Sequence, residues 1–160
     1  MAGELFKEEQ WFPNAVGAVI GAMLAGAALT LALGGRRGRA WAGTLLSSSG
    51  GLLAVTAAFA PMRTTVTPEG VQVSFGLPGW IRFRVDAAGI RGVEAVTYRP
   101  LAEFGGWGIR LSLGGTRAYT ARGNQGVRVR TTRGEYLIGS QRPEELAAAL
   151  RQIAPSAQEE

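Results

Sequence analysis

The chain has 160 residues, 17 Lys and Arg against 12 Asp and Glu, and neither cysteine nor histidine. Those two absences remove the usual zinc, copper and haem ligands, the Ser-His and Cys-His nucleophile systems and the commonest general base, so no cofactor is expected and an enzyme is disfavoured. Lys7 is the only lysine and Asp86 the only aspartate; the positive balance is an arginine bias that base composition explains, and no nucleic-acid partner is expected.

In residues 1–12, Leu5-Phe6 and Trp11-Phe12 flank Lys7-Glu8-Glu9-Gln10. This segment is an interfacial helix along a bilayer or a short solvated lead-in. Glu8 and Glu9 are adjacent, so on a helix they point apart and make a poor acid/base pair.

From Gln10 to Gly35, and again from Ala40 to Met62, no residue is charged. Each stretch exceeds the roughly 20 residues a helix needs to cross the hydrocarbon of a bilayer. The reading is a transmembrane hairpin over 13–62, with helices at about 14–33 and 41–60 and a connection at 34–40. Pro13 suits a helix start, and Trp11 an interfacial anchor. Gly17, Gly21 and Ala25 recur four apart, a spacing that lets helices approach closely, either the second helix or a second copy. A secretory signal is the rival for the first stretch, but its flank holds three glutamates against one lysine. The second stretch contains Ser47-Ser48-Ser49-Gly50-Gly51, whose hydroxyls can bond back to their own helix. Arg36, Arg37 and Arg39 favour a cytoplasmic connection, which would put the remainder of the chain outside.

After Met62, short runs alternate apolar and polar residues between turn residues. Runs fall at 64–67, 71–75, 81–85, 92–98, 108–113, 116–121, 127–130 and 136–139. A helix follows, with Pro143 in its first turn, Glu144 and Glu145 at the positive end of its dipole, and Leu146, Leu150 and Ile153 on one face. The fold class expected is therefore α+β: a transmembrane hairpin, then an antiparallel β-barrel of seven or eight strands over 63–154 closed by one C-terminal helix, with a tail at 155–160. A five-stranded OB-fold is the runner-up.

Barrel strands with one amphipathic C-terminal helix describe a pleckstrin-homology-like domain. The stretches Val96-Thr97-Tyr98-Arg99-Pro100-Leu101, Glu103-Phe104-Gly105-Gly106-Trp107-Gly108-Ile109-Arg110, Gly123 with Gly126-Val127, and Ile138-Gly139-Ser140-Gln141-Arg142-Pro143-Glu144-Glu145-Leu146 resemble a family of uncharacterised bacterial membrane proteins. Members carry a motif like Phe6-Lys7-Glu8-Glu9-Gln10-Trp11-Phe12, two membrane helices and a bacterial pleckstrin-homology-like domain. The resemblance implies a multi-pass protein of the bacterial inner membrane with its C-terminal domain in the cytoplasm. The acidic N-terminus and the three arginines of the connection depart from the family's pattern. No activity or catalytic residue is implied.

Candidate contact residues are Trp80 with Arg82 and Arg84, Arg128 with Arg130, and Trp107 with Arg110. Each arginine pair occupies one strand face and is either a solvated face or a contact for anionic headgroups. Trp107 stands among Gly105, Gly106 and Gly108, which permit backbone geometries closed to other residues. Its indole either fills the barrel or forms a binding contact. The functional expectation is a non-enzymatic, membrane-anchored binding or scaffold module acting on a protein partner or on copies of itself. The alternatives are recognition of anionic lipid by the arginine-bearing strands, or an accessory subunit of a membrane enzyme or transporter.

Overall fold

Alternation fixes which residues turn inward, and turn residues fix where each strand stops. The structure, a computed structural model, describes residues 3–11, 14–33, 35–112 and 114–154. The order is β1 (Phe6–Gln10), α1 (Asn14–Leu33), α2 (Gly35–Phe59), β2 (Met62–Thr67), β3 (Gly70–Phe75), β4 (Ile81–Asp86), a 3-10 turn (Ala87–Gly89) and β5 (Ile90–Thr97). Then come α3 (Pro100–Phe104), β6 (Gly108–Leu111), β7 (Arg117–Thr120), β8 (Gln125–Thr131), β9 (Gly134–Gly139) and α4 (Pro143–Ile153). All eight expected runs form strands; the expected tail, together with Phe12, Pro13 and Gly34, lies outside the described residues.

The strands do not close a barrel. They form two open sheets, one ordered β1-β2-β3-β4 and one ordered β5-β8-β9-β7-β6. Every pair is antiparallel except β7 with β9. The chain passes from the first sheet to the second through the 3-10 turn, where the Ala87 amide donates to the Glu69 carbonyl at 3.0 Å and the Thr132 amide to the Gly89 carbonyl at 3.0 Å. A barrel would need a strand ladder at that crossing; a three-residue turn supplies none.

Between the sheets lies one core that includes Phe75, Val71, Ile90, Val129 and Ile138, with Leu146 and Leu150 delivered by α4. Each fully buried Leu contributes about 1.5–3 kcal/mol through removal of apolar surface from water. A smaller cluster of Tyr98, Ala118 and Leu137 sits beneath α3, with the Phe104 ring edge-on to Tyr98 at 6.0 Å.

Residues 6–10 form β1, the edge strand beside β2. Phe6, Glu8 and Gln10 face inward, and the last two reach the turn between β9 and α4. Glu8 accepts from the Ser140 hydroxyl and the Gln141 amide, and the Gln10 amide donates to the Gly139 carbonyl at 2.8 Å. Arg142 lays its guanidinium over the Phe6 ring, 4.8 Å from the centroid, and donates to the Lys7 carbonyl.

The transmembrane hairpin is overturned: among the described residues no helix is long and apolar enough to cross a membrane. The expected connection is almost wholly helical, so Arg37 and Arg39 enter the first turns of α2, whose middle holds Ser47-Ser48-Ser49-Gly50-Gly51. The multi-pass placement in an inner membrane falls with it. The two helices pack on each other through Ile20 and Ala27 of α1 and Ala42 and Ser49 of α2, all buried. Val19, Leu29, Leu31, Leu33 and Trp41 stay exposed, an apolar surface that no described residue covers.

Close approach occurs at Gly38, where an added Cβ would stand 2.2 Å from the Thr30 carbonyl oxygen. Gly17, Gly21 and Ala25 lie on an exposed face of α1, and nothing comes within 4 Å of a Cβ built at either glycine. The Ser49 hydroxyl bonds back to the Leu45 carbonyl at 2.6 Å, which satisfies it within its own helix.

Candidate functional site

Two open sheets leave four edge strands, and the structure treats the two sides of the sandwich differently. On one side, α4 packs against β5, β8, β1 and β2. Arg151 donates to the Val93 carbonyl of β5 at 3.3 Å, so that flank is filled. On the other side, the β4 and β6 edges face a cavity of about 360 Å³ with no helix in it, lined by Phe83, Ile109, Arg110, Leu111, Arg117 and Tyr119. This is the open corner of the sandwich.

Its floor is aromatic. Phe83 stacks on Tyr119 with centroids 4.4 Å apart, and Tyr119 lies parallel to Tyr136 at 6.2 Å. Burial pushes the Tyr119 hydroxyl above its ordinary pKa, and the neighbouring Tyr136 adds to the shift. Arg117 donates to the Tyr136 hydroxyl at 3.4 Å and places its guanidinium over that ring. Leu111 is 67% exposed at the rim. A second cavity, of about 370 Å³, continues along β6 from Arg110 to Trp107 and is walled by Leu52, Val55, Thr56 and Phe59 of α2. The free edge of β6 therefore runs between two apolar hollows.

The candidate residues do not converge. Trp80 is exposed ahead of β4. Arg82 donates to the Gly79 carbonyl at 2.7 Å, and Arg84 pairs with Asp86 at 3.3 Å on the outer face of the first sheet. That face also carries Arg63, paired with Glu9 at 2.8 Å; Arg63 holds the Glu9 carboxyl below its usual range, chiefly through that hydrogen bond. Arg128 pairs with Glu135 at 3.4 Å on the outer face of the second sheet, and Arg130 lies against Gly92, its Nε 3.1 Å from where a Cβ would be. The two arginine pairs thus occupy opposite outer faces.

Trp107 and Arg110 do belong to the corner region. Gly105, Gly106 and Gly108 have φ of 68°, 125° and 108°, which frees the loop to turn the indole so that its N–H donates to the Gly123 carbonyl at 2.8 Å. Arg110 folds back to the Trp107 carbonyl at 3.1 Å and lines both hollows. Phe83, Ile109, Leu111, Arg117 and Tyr119 are the corner residues that sequence reasoning missed as a site. Alternation marks Phe83, Ile109 and Tyr119 as inward-facing, and nothing local tells which side of a sandwich is left unfilled.

Among the described residues, no group of three or more His, Cys, Asp or Glu side chains is placed to hold a metal ion. The chain matches no family model and no curated protein.

Proposed function

We propose that this chain is a non-enzymatic binding module whose open corner takes an extended segment of a protein partner. The observation that carries the reading is the free edge of β6 between two apolar hollows, with β4 also ending its sheet there. An edge strand offers unpaired backbone N–H and C=O groups, and an extended segment that adds to it gains main-chain hydrogen bonds while alternate side chains enter pockets. Arg110 and Arg117 at the hollow favour a segment with an acidic residue beside its apolar ones.

Selection of peptides from a random library against the full-length chain tests this. Binders should be extended, apolar and acidic, and should lose at least tenfold in affinity for a Leu111→Asp variant, whose altered side chain sits at the exposed rim and leaves the core intact. Selected peptides that bind Leu111→Asp as well as the parent chain would refute the site.

A further inference from the structure

A chemically different hollow lies where the β4–β5 crossover meets the β8–β9 turn. It measures about 270 Å³, and its walls include Arg84, Arg91, Arg133, Thr131 and Thr132. Three arginines from three separate elements thus line one concavity. One carboxylate, Asp86, also lines it and takes up part of that charge through Arg84. The Thr132 hydroxyl adds a short donor between the arginines.

The hollow is built on fixed backbone. The Thr132 amide donates to the Gly89 carbonyl at 3.0 Å, which ties the β8–β9 turn to the crossover. Thr131 closes the turn itself, its hydroxyl donating to the Gly134 carbonyl at 2.8 Å and accepting from the Arg133 amide at 3.1 Å. Arg91 is steadied by donation to the Ala88 carbonyl at 3.3 Å. The arginine stems therefore start from held positions, which lowers the ordering cost of closing on a ligand.

We propose that this hollow binds a phosphate monoester group. The planar fork of arginine matches the paired oxygens of a phosphate, and charge-assisted hydrogen bonds of this kind are about twice as strong as neutral ones. A single carboxylate against three arginines leaves a positive site for a dianion. This ligand chemistry is separate from the apolar segment taken at the open corner, so either site stands without the other.

Titration of the full-length chain with glycerol phosphate, followed by calorimetry and by backbone amide shifts, tests the assignment. In a parallel arm the chain is mixed with phosphatidylcholine vesicles with and without phosphatidic acid. Saturable binding of glycerol phosphate, with shifts at Thr131 to Gly134, identifies a small phosphorylated molecule as the source. Binding confined to the phosphatidic acid vesicles identifies a headgroup. In either case Arg91→Gln with Arg133→Gln should weaken binding at least tenfold. A charge-matched control, Arg99→Gln with Arg122→Gln, should leave it within twofold. Absence of saturable binding in both arms, or equal weakening by the two double variants, would overturn the site.

Discussion

Glu8 and Ser140 stand 132 residues apart in the chain and meet in the interior, where the Ser140 hydroxyl donates to the Glu8 carboxylate. The Gln141 amide donates to the other carboxylate oxygen at 2.8 Å, and the Arg142 amide to the Ser140 oxygen at 3.0 Å. Glu8 is 8% exposed and forms no ion pair among the described residues. The carboxylate is held by hydrogen bonds alone, and those bonds fasten the strand that precedes the helical hairpin to the turn that begins α4.

Glu8→Ala would leave the buried Ser140 hydroxyl and the part-buried Gln141 amide without this acceptor, which costs roughly 1–3 kcal/mol. Ser140→Ala removes one bond from the same network, at about 0.5–1.5 kcal/mol. Because both act on one cluster, the double variant should lose less than the sum of the singles. Urea denaturation gives the three values, and strict additivity would show that the pair does not act as a unit. Hydrogen exchange in 6–10 should rise in Glu8→Ala ahead of exchange in β8.

The glycines of the hairpin separate two packing geometries. Gly38→Ala places a Cβ 2.2 Å from the Thr30 carbonyl oxygen, so α1 and α2 must move apart. Gly17→Ala and Gly21→Ala meet open space and should be neutral or stabilising by up to about 1 kcal/mol, from helix propensity alone. A thermal melt of the three variants decides the matter. If Gly17→Ala destabilises the chain as much as Gly38→Ala, the face of α1 turned toward α2 has been misassigned.

How far the sequence discloses this molecule depends on the range of the signal. Val71, Val73 and Phe75 alternate with Gln72 and Ser74, and that local pattern leads directly to β3. Pro143, Glu144 and Glu145 likewise mark the start of α4. β1 hides because two of its three inward residues are Glu8 and Gln10, which read as solvent-facing; only partners 132 and 129 positions away make their burial tolerable. The connection with its three arginines reads as a loop, yet Gly38 is needed inside a helix for the approach to Thr30. Arg82 and Arg128 carry similar local patterns on opposite outer faces, a separation set by sheet order. The open corner is the least legible feature, since it follows from where α4 is absent.

Core packing gives a sharper contrast. Leu150 is fully buried between α4 and the sheets, and Leu150→Ala should cost about 2–5 kcal/mol. Leu101, on α3, is 72% exposed, and Leu101→Ala should stay within about 0.5 kcal/mol. Comparable losses at the two positions in chemical denaturation would show that α3 packs against something in solution.

Tyr98 sets an upper pH limit on the fold. Burial pushes its hydroxyl up to about 12, with the Thr120 side chain opposing the shift in part. An unfolded tyrosine titrates near about 10, so the folded chain holds this proton more tightly than the unfolded one. The stabilisation is complete below pH about 10 and is lost as pH rises through the folded value. Tyr119, raised in the same direction, adds to that loss. Denaturation midpoints across the alkaline range should therefore fall steeply for the parent chain and less steeply for Tyr98→Phe, which has no proton to lose at that position. Tyrosinate absorbance should show one late-titrating group missing from the variant. Parallel declines in the two proteins would place the ionising hydroxyl in contact with water and remove Tyr98 from the cluster beneath α3.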